Sequence, residues 1–284
     1  MSVLACIDRS DFAASVCDHA VWGAQRLDDA AIELLHVIER RREPAESRDH
    51  SGRLGVDMSE SLLQELAEMD EQRNRLTQQA GRHLLEDAAQ RLQAAGVAHV
   101  SQRLLHGELV DHLKEHEAGA SLVVVGKQGE TAHQAKEHLG RNLERVIRAS
   151  YRPVLIAPPK FQPIRRFVFA YDGGKSSGRA ISYLVETGML NGLEGHMLFV
   201  GDGNAPERVR LADAVRHLRG AGIQVTEEIR AGNVPQMITD AVEKEGVDLL
   251  VMGAYGHSHI RNLIIGSTTT EVIRTSKVAT LVCR

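Results

Sequence analysis

Five apolar segments recur in the same order in the two halves of this chain, and that repetition constrains the fold more than any single motif. Val3-Leu-Ala-Cys-Ile-Asp8 parallels Val168-Phe-Ala-Tyr-Asp172, and Ile32 to Val37 parallels Gly195 to Val200. Gly96 to Gly107 then parallels Gly222 to Gly232, Gly119 to Gly126 parallels Gly246 to Gly253, and Arg152 to Pro158 parallels Lys277 to Cys283. Self-similarity kept in register over such a span marks a duplicated structural unit. Runs such as Val247-Asp-Leu-Leu-Val-Met252 have the composition of a strand buried on both faces of a parallel sheet. Strands alternating with amphipathic helical stretches build βαβ units with right-handed crossovers, so each half is predicted to be α/β with a doubly wound parallel sheet.

The seam lies at Pro158-Pro-Lys-Phe-Gln-Pro163, where three prolines neither continue a helix nor feed a central strand. This predicts one domain over residues 1–158 and a second over 163–284. The 284 residues suffice for two domains of roughly 100–150 residues, each with its own core. The main asymmetry is a longer second connection in the first half, from Glu39 to about Arg75. Its stretch Arg40 to Gly52 is too polar to pack in a core and predicts a mobile excursion, followed by a helix from about Ser59 to Ala95.

Composition excludes several function classes. A formal net charge of −4 argues against a nonspecific nucleic-acid binder, which needs a basic face to release counterions. No apolar stretch approaches the roughly 20 residues that span a bilayer, and the N-terminus has no basic-then-apolar signal pattern, so no membrane insertion and a cytoplasmic location are expected. Cys6, Cys17 and Cys283 are odd in number and scattered, without C-x-x-C spacing, and read as small buried hydrophobes.

The richest motif follows the Val247–Met252 run: Gly253-Ala-Tyr-Gly256, nine residues, then Gly266-Ser267-Thr268. Glycines at the carboxyl end of a strand let the backbone turn tightly and approach a ligand. The segment opened by Gly266 offers a helix N-terminus with N–H donors, a favourable dipole and hydroxyls, which suits anionic oxygens. A tight strand-to-helix turn with no ligand would use the same glycines.

Gly-x2-Gly-x9-Gly-Ser/Thr after a fourth strand resembles the ATP-binding signature of the universal stress protein family. Two further features match in order: a first strand ending in Asp172, and a final apolar strand led by Lys277. The resemblance extends over nearly the whole chain as two domains in tandem. It implies two Rossmann-like domains of the adenine nucleotide alpha hydrolase-like type, each with a five-stranded parallel sheet flanked by helices. It also implies ATP or another adenine nucleotide as ligand, with any Mg2+ brought by the nucleotide, and pairing of the halves as a pseudo-dimer, with two chains free to associate again.

Carried onto this sequence, the resemblance has Gly253 and Gly256 shaping the phosphate loop, Gly266, Ser267 and Thr268 donating to phosphate or ribose, Asp172 contacting the adenosine end and Val200 packing on the adenine ring. Asp172 has a second reading as the cap of the following helix, because Asp is a favoured cap. The first half keeps Asp8, Val37, Gly126 and Gly129, but ten residues separate Gly129 from Gly140, and Arg141-Asn142 replaces the hydroxyl pair. A degenerate site, empty or weak, is expected there. Lys127 after Gly126 either binds a phosphate or fills its place.

Other candidates weaken on inspection. Gly173-Gly-Lys-Ser-Ser177 lacks the earlier glycine of a Walker loop, since Phe169 stands there. His112 and His116, at i and i+4, lie among Asp111, Lys114, Glu115 and Glu117, which reads as a solvated helix face rather than a metal site. His257 and His259 lack a third ligand, and Arg261 is read either as a phosphate partner or as loop decoration. No catalytic base is evident, so the expectation is a nucleotide-dependent sensor or adaptor acting on an unidentified protein. A slow ATP hydrolase and a nucleotide-independent scaffold are the alternatives.

Overall fold

The structure, a computed structural model, describes residues 1–39, 60–130, 141–254 and 266–284. Each of the five repeated segments forms a strand. In the first half these are β1 (Ser2–Cys6), β2 (Ala31–Ile38), β3 (Val100–His106), β4 (Leu122–Gly126) and β5 (Val154–Ala157). In the second they are β6 (Arg166–Ala170), β7 (Glu194–Val200), β8 (Gln224–Arg230), β9 (Leu249–Gly253) and β10 (Ala279–Cys283). The order is β3-β2-β1-β4-β5 in the first half and β10-β9-β6-β7-β8 in the second, with every pair parallel within a half.

The two half-sheets join edge to edge. β5 pairs antiparallel with β10, Leu281 opposite Leu155 and Thr280 opposite Ile156, which makes one ten-stranded sheet. Both edge strands are buried along their length, so each covers the edge that the other would leave unpaired. The antiparallel junction also points the carboxyl ends of the two half-sheets in opposite directions.

Eight α-helices are described. On one face lie α1 (Ala13–Arg26), α2 (Glu60–Ala94), α5 (Lys175–Thr187) and α6 (Ala205–Gly220). On the other lie α3 (Leu109–His116), α4 (Arg141–Ala149), α7 (Val234–Lys244) and α8 (Ser267–Thr275). One continuous core runs under the first set and across the junction, including Leu34, Leu92, Leu155, Phe167, Leu249 and Leu281. Asn204 and Glu207 form a reciprocal capping box at the start of α6, with Pro206 in its first turn.

The helix expected from about Ser59 to Ala95 is α2, but the excursion over residues 40–52 lies outside the described residues. Among the described residues no helix is long and apolar enough to cross a membrane.

Candidate functional site

Asp172 follows the end of β6 and Val200 ends β7. The last paired positions are Ala170 and Leu198, so Asp172 and Val200 stand level, two residues beyond them on adjacent strands. Val200 is partly buried against the apolar cluster of the α7–α8 face. The chain turns from β6 into α5 through Gly173, whose φ of +72° favours glycine.

Asp172 is not the capping residue of α5; that position belongs to Gly174. Its carboxylate nevertheless fixes the helix start, since Oδ1 accepts from the Gly174 N–H at 2.8 Å and from the Ser177 hydroxyl at 2.5 Å. The same turn meets β9. A Cβ added at Gly253 would lie 2.9 Å from Ser176 Cβ and 3.1 Å from the Ser177 nitrogen, so glycine is what lets β9 reach the first turn of α5. From the other side the buried Thr269 in α8 places its hydroxyl 3.5 Å from the Gly253 carbonyl. Gly266 caps α8, and Ser267 and Thr268 are its first two residues. The first N–H groups of a helix have no intrahelical acceptor. The structure thus joins Asp172, Gly253, Gly266, Ser267 and Thr268 through Ser177 and Thr269, at the point where strand order reverses between β6 and β9, the usual place for a ligand on an open α/β sheet. Gly256, His257, His259 and Arg261 lie outside the described residues.

The fit to a phosphate-bearing ligand rests on that glycine-only approach beside the start of α8, where Gly266 makes no side-chain cap hydrogen bond among the described residues. Arg210 of α6 stands at the rim, its Nε 3.3 Å from where a Cβ of Gly173 would be. Nothing in local spacing pointed to Arg210, which arrives through the packing of α6 on α5.

The first half closes differently. Asp8 and Val37 hold the equivalent positions, two residues beyond the Cys6–Leu35 pair. Both oxygens of Asp8 are used: Oδ1 accepts from the Ser10 N–H at 3.1 Å and the Ser10 hydroxyl at 2.5 Å, and Oδ2 accepts from the Glu130 N–H at 2.9 Å. A Cβ at Gly129 would meet Asp8 Oδ2 at 2.9 Å, and one at Gly126 would meet Phe12 Cβ at 2.8 Å. Arg9 pairs with Glu130 across the same loop. Gly140 lies outside the described residues.

Lys127 follows neither of its sequence readings. Its Nζ donates to the carbonyls of Arg274 and Ser276 at the end of α8, in the other half. The reason is the antiparallel junction, which brings the carboxyl end of β4 beside the last turn of α8.

The remaining candidates find structural partners. His112 Nε2 lies 3.0 Å from the His106 carbonyl and His116 Nδ1 lies 2.9 Å from Glu33 Oε1, so the two rings serve different neighbours. Gly173 to Ser177 is the start of α5, with Ser176 and Ser177 buried. One group that sequence reasoning missed is His196, Glu228 and Glu245, whose nearest ligand atoms lie within 4.8 Å of one another. The Arg230 guanidinium already spans both carboxylates, at 2.7 Å from Glu228 and 2.8 Å from Glu245, and holds the Glu228 carboxyl below its ordinary range. This is an ion-pair network on β7, β8 and the end of α7, in which the buried His196 Nε2 lies 3.2 Å from Glu228 without making a hydrogen bond.

Comparison with known proteins agrees with this architecture. The model of the universal stress protein family matches residues 1–158 and 196–284. The chain is 36% identical over 286 residues to universal stress protein Slr1230 of Synechocystis sp., covering 100% of this chain and 99% of that protein. A shorter stretch is 29% identical over 75 residues to universal stress protein MJ0577 of Methanocaldococcus jannaschii, covering 26% of this chain and 46% of that protein. Among solved structures, a universal stress protein from Archaeoglobus fulgidus shares the fold with a TM-score of 0.67 at 23% identity, covering 100% of this chain and 96% of that one. The chain therefore belongs to the universal stress protein family, as a member that carries the family fold twice.

Proposed function

We propose that this protein binds ATP or another adenine nucleotide in its second half, residues 163–284, and acts as a cytoplasmic nucleotide-dependent sensor or adaptor. The observation that carries the reading is the convergence of Asp172, Gly253 and the Gly266-Ser267-Thr268 helix start around a contact that only glycine allows. On this reading the first N–H groups of α8, together with the Ser267 and Thr268 hydroxyls, hold phosphate oxygens where the helix dipole favours negative charge. Gly253 and Gly256 keep the loop close to the phosphates. Val200 packs on the adenine ring. Asp172 anchors α5 and, on this reading, accepts from a ribose hydroxyl or the adenine amino group. Any Mg2+ comes with the nucleotide.

The first half, residues 1–158, serves in this reading as a silent partner. Asp8 is committed to its own loops, and Lys127 is engaged with α8.

The test is the identity and molar ratio of nucleotide released when freshly purified protein is denatured, beside a Gly266→Val variant. The expected result is one adenine nucleotide per chain, absent from the variant. No released nucleotide together with no binding of added ATP would overturn the proposal. Two per chain would overturn the assignment of a silent first half.

A further inference from the structure

Of the ten polar residues that are buried as a whole, nine use their side chains in hydrogen bonds, and Ser176 makes none among the described residues. Ser176 is only 6% exposed. A hydroxyl so enclosed is costly to leave unpaired, so this one calls for a partner from outside the chain.

Its surroundings are those of an anion site. Ser176 lies in the first turn of α5, which is capped by Gly174 and therefore by no side chain of the cap residue. The Asp172 carboxylate takes the Gly174 N–H and the Ser177 hydroxyl, on either side of Ser176. The first N–H groups of a helix have no acceptor within it, and the helix dipole is positive there, so a hydroxyl among them favours anionic oxygens. Arg210 stands over the same turn and brings positive charge to a place that already holds Asp172.

The residue also adjoins the candidate phosphate loop. Its Cβ is 2.9 Å from where a Cβ at Gly253 would be, and Thr269 of α8 reaches the Gly253 carbonyl from the other face of the sheet. The starts of α5 and α8 thus flank the end of β9, one from each face. Thr269 spends its hydroxyl on the backbone, whereas Ser176 does not.

The first half provides an internal comparison. Phe12 follows Asp8 by four residues, as Ser176 follows Asp172, and its Cβ is 2.8 Å from where a Cβ at Gly126 would be. The backbone approach is repeated without the hydroxyl, so the hydroxyl is not needed to build the turn. We propose that Ser176, with the first N–H groups of α5, binds a phosphate group of the nucleotide from the side of the crevice opposite α8. This rests on the nucleotide reading given above.

The experiment is calorimetric titration of ATP and of adenosine into the full chain and into Ser176→Ala, beside thermal unfolding of both proteins without ligand. Ser176→Ala removes no hydrogen bond from the free protein and adds a better helix former, so its unfolding midpoint should be unchanged or higher. Its affinity for ATP should fall about tenfold, the scale of one hydrogen bond to a charged group, while its affinity for adenosine, which has no phosphate, stays the same. Equal ATP affinity in both proteins, an equal loss for ATP and adenosine, or a lowered unfolding midpoint would overturn the role of Ser176 and leave the nucleotide reading standing. An unaltered chain that binds no ATP would overturn both.

Discussion

Lys127 of the first half caps the last turn of α8 in the second: its Nζ donates to the Arg274 carbonyl at 2.8 Å and to the Ser276 carbonyl at 2.5 Å. A cation at a helix C-terminus satisfies carbonyls that have no intrahelical donor and complements the helix dipole. Arg284, beyond β10, donates in return to the Arg148 carbonyl at the end of α4. Each half thus supplies a cation to a helix end of the other, and the edge-to-edge sheet is held by side chains as well as by its ladder.

Replacing Lys127 by Met keeps most of the volume and removes the donors. The expected loss is about 1–2 kcal/mol of unfolding free energy, the scale of charge-assisted hydrogen bonds discounted for partial exposure. Denaturant titration of Lys127→Met against the unaltered chain measures it.

Lys127 also gives stability a pH signature. Burial pulls its pKa from 10.5 down to about 8. Between pH 8 and 10.5 the unfolded chain therefore binds more protons at this group than the folded one, so its contribution to stability rises with pH in that window. The difference in stability between the unaltered chain and Lys127→Met should widen from pH 8 to pH 10. A constant difference would show that the ammonium is not desolvated.

Gly253→Ala should cost about 1–3 kcal/mol, because the new Cβ meets Ser176 Cβ and the Ser177 backbone nitrogen and forces β9 and α5 apart. The same change should weaken nucleotide binding on the reading proposed above. Thermal unfolding and nucleotide titration of one preparation measure both effects.

Glu117 is buried between α3 and the end of α4, where its carboxylate accepts from the Ser150 hydroxyl at 2.5 Å and the Tyr151 N–H at 3.1 Å. Glu117→Ala leaves the Tyr151 N–H without its acceptor, while the Ser150 hydroxyl keeps the Arg152 carbonyl at 3.0 Å, and should destabilise by about 1–3 kcal/mol. The denaturation midpoint should fall accordingly, and a change within 0.5 kcal/mol, roughly the range of ordinary surface substitutions, would contradict the buried role.

Burial pushes the Cys6 and Cys283 thiols up to about 12 and Cys17 to about 11. Since the thiolate is the reactive species, all three should resist a thiol reagent at pH 8 in the native protein and react promptly after unfolding. Rapid native labelling of any one would show that its segment opens.

Local periodicity and glycine placement made the ten strands, their repeated order and the positions of Asp172, Gly253 and Gly266 legible in the sequence. Such features are written in consecutive residues: an apolar run long enough for a buried strand, a glycine where the backbone turns, a hydroxyl at a helix start. The tertiary structure alone decided that β5 and β10 pair antiparallel into one sheet, that Asp8 closes on the Glu130 N–H, and that Lys127 serves α8 rather than its own loop. These depend on which residues far apart in the chain arrive at the same place. An apolar strand records that it must be covered, and an ammonium that it needs acceptors, but neither records the partner; packing of the whole chain selects it.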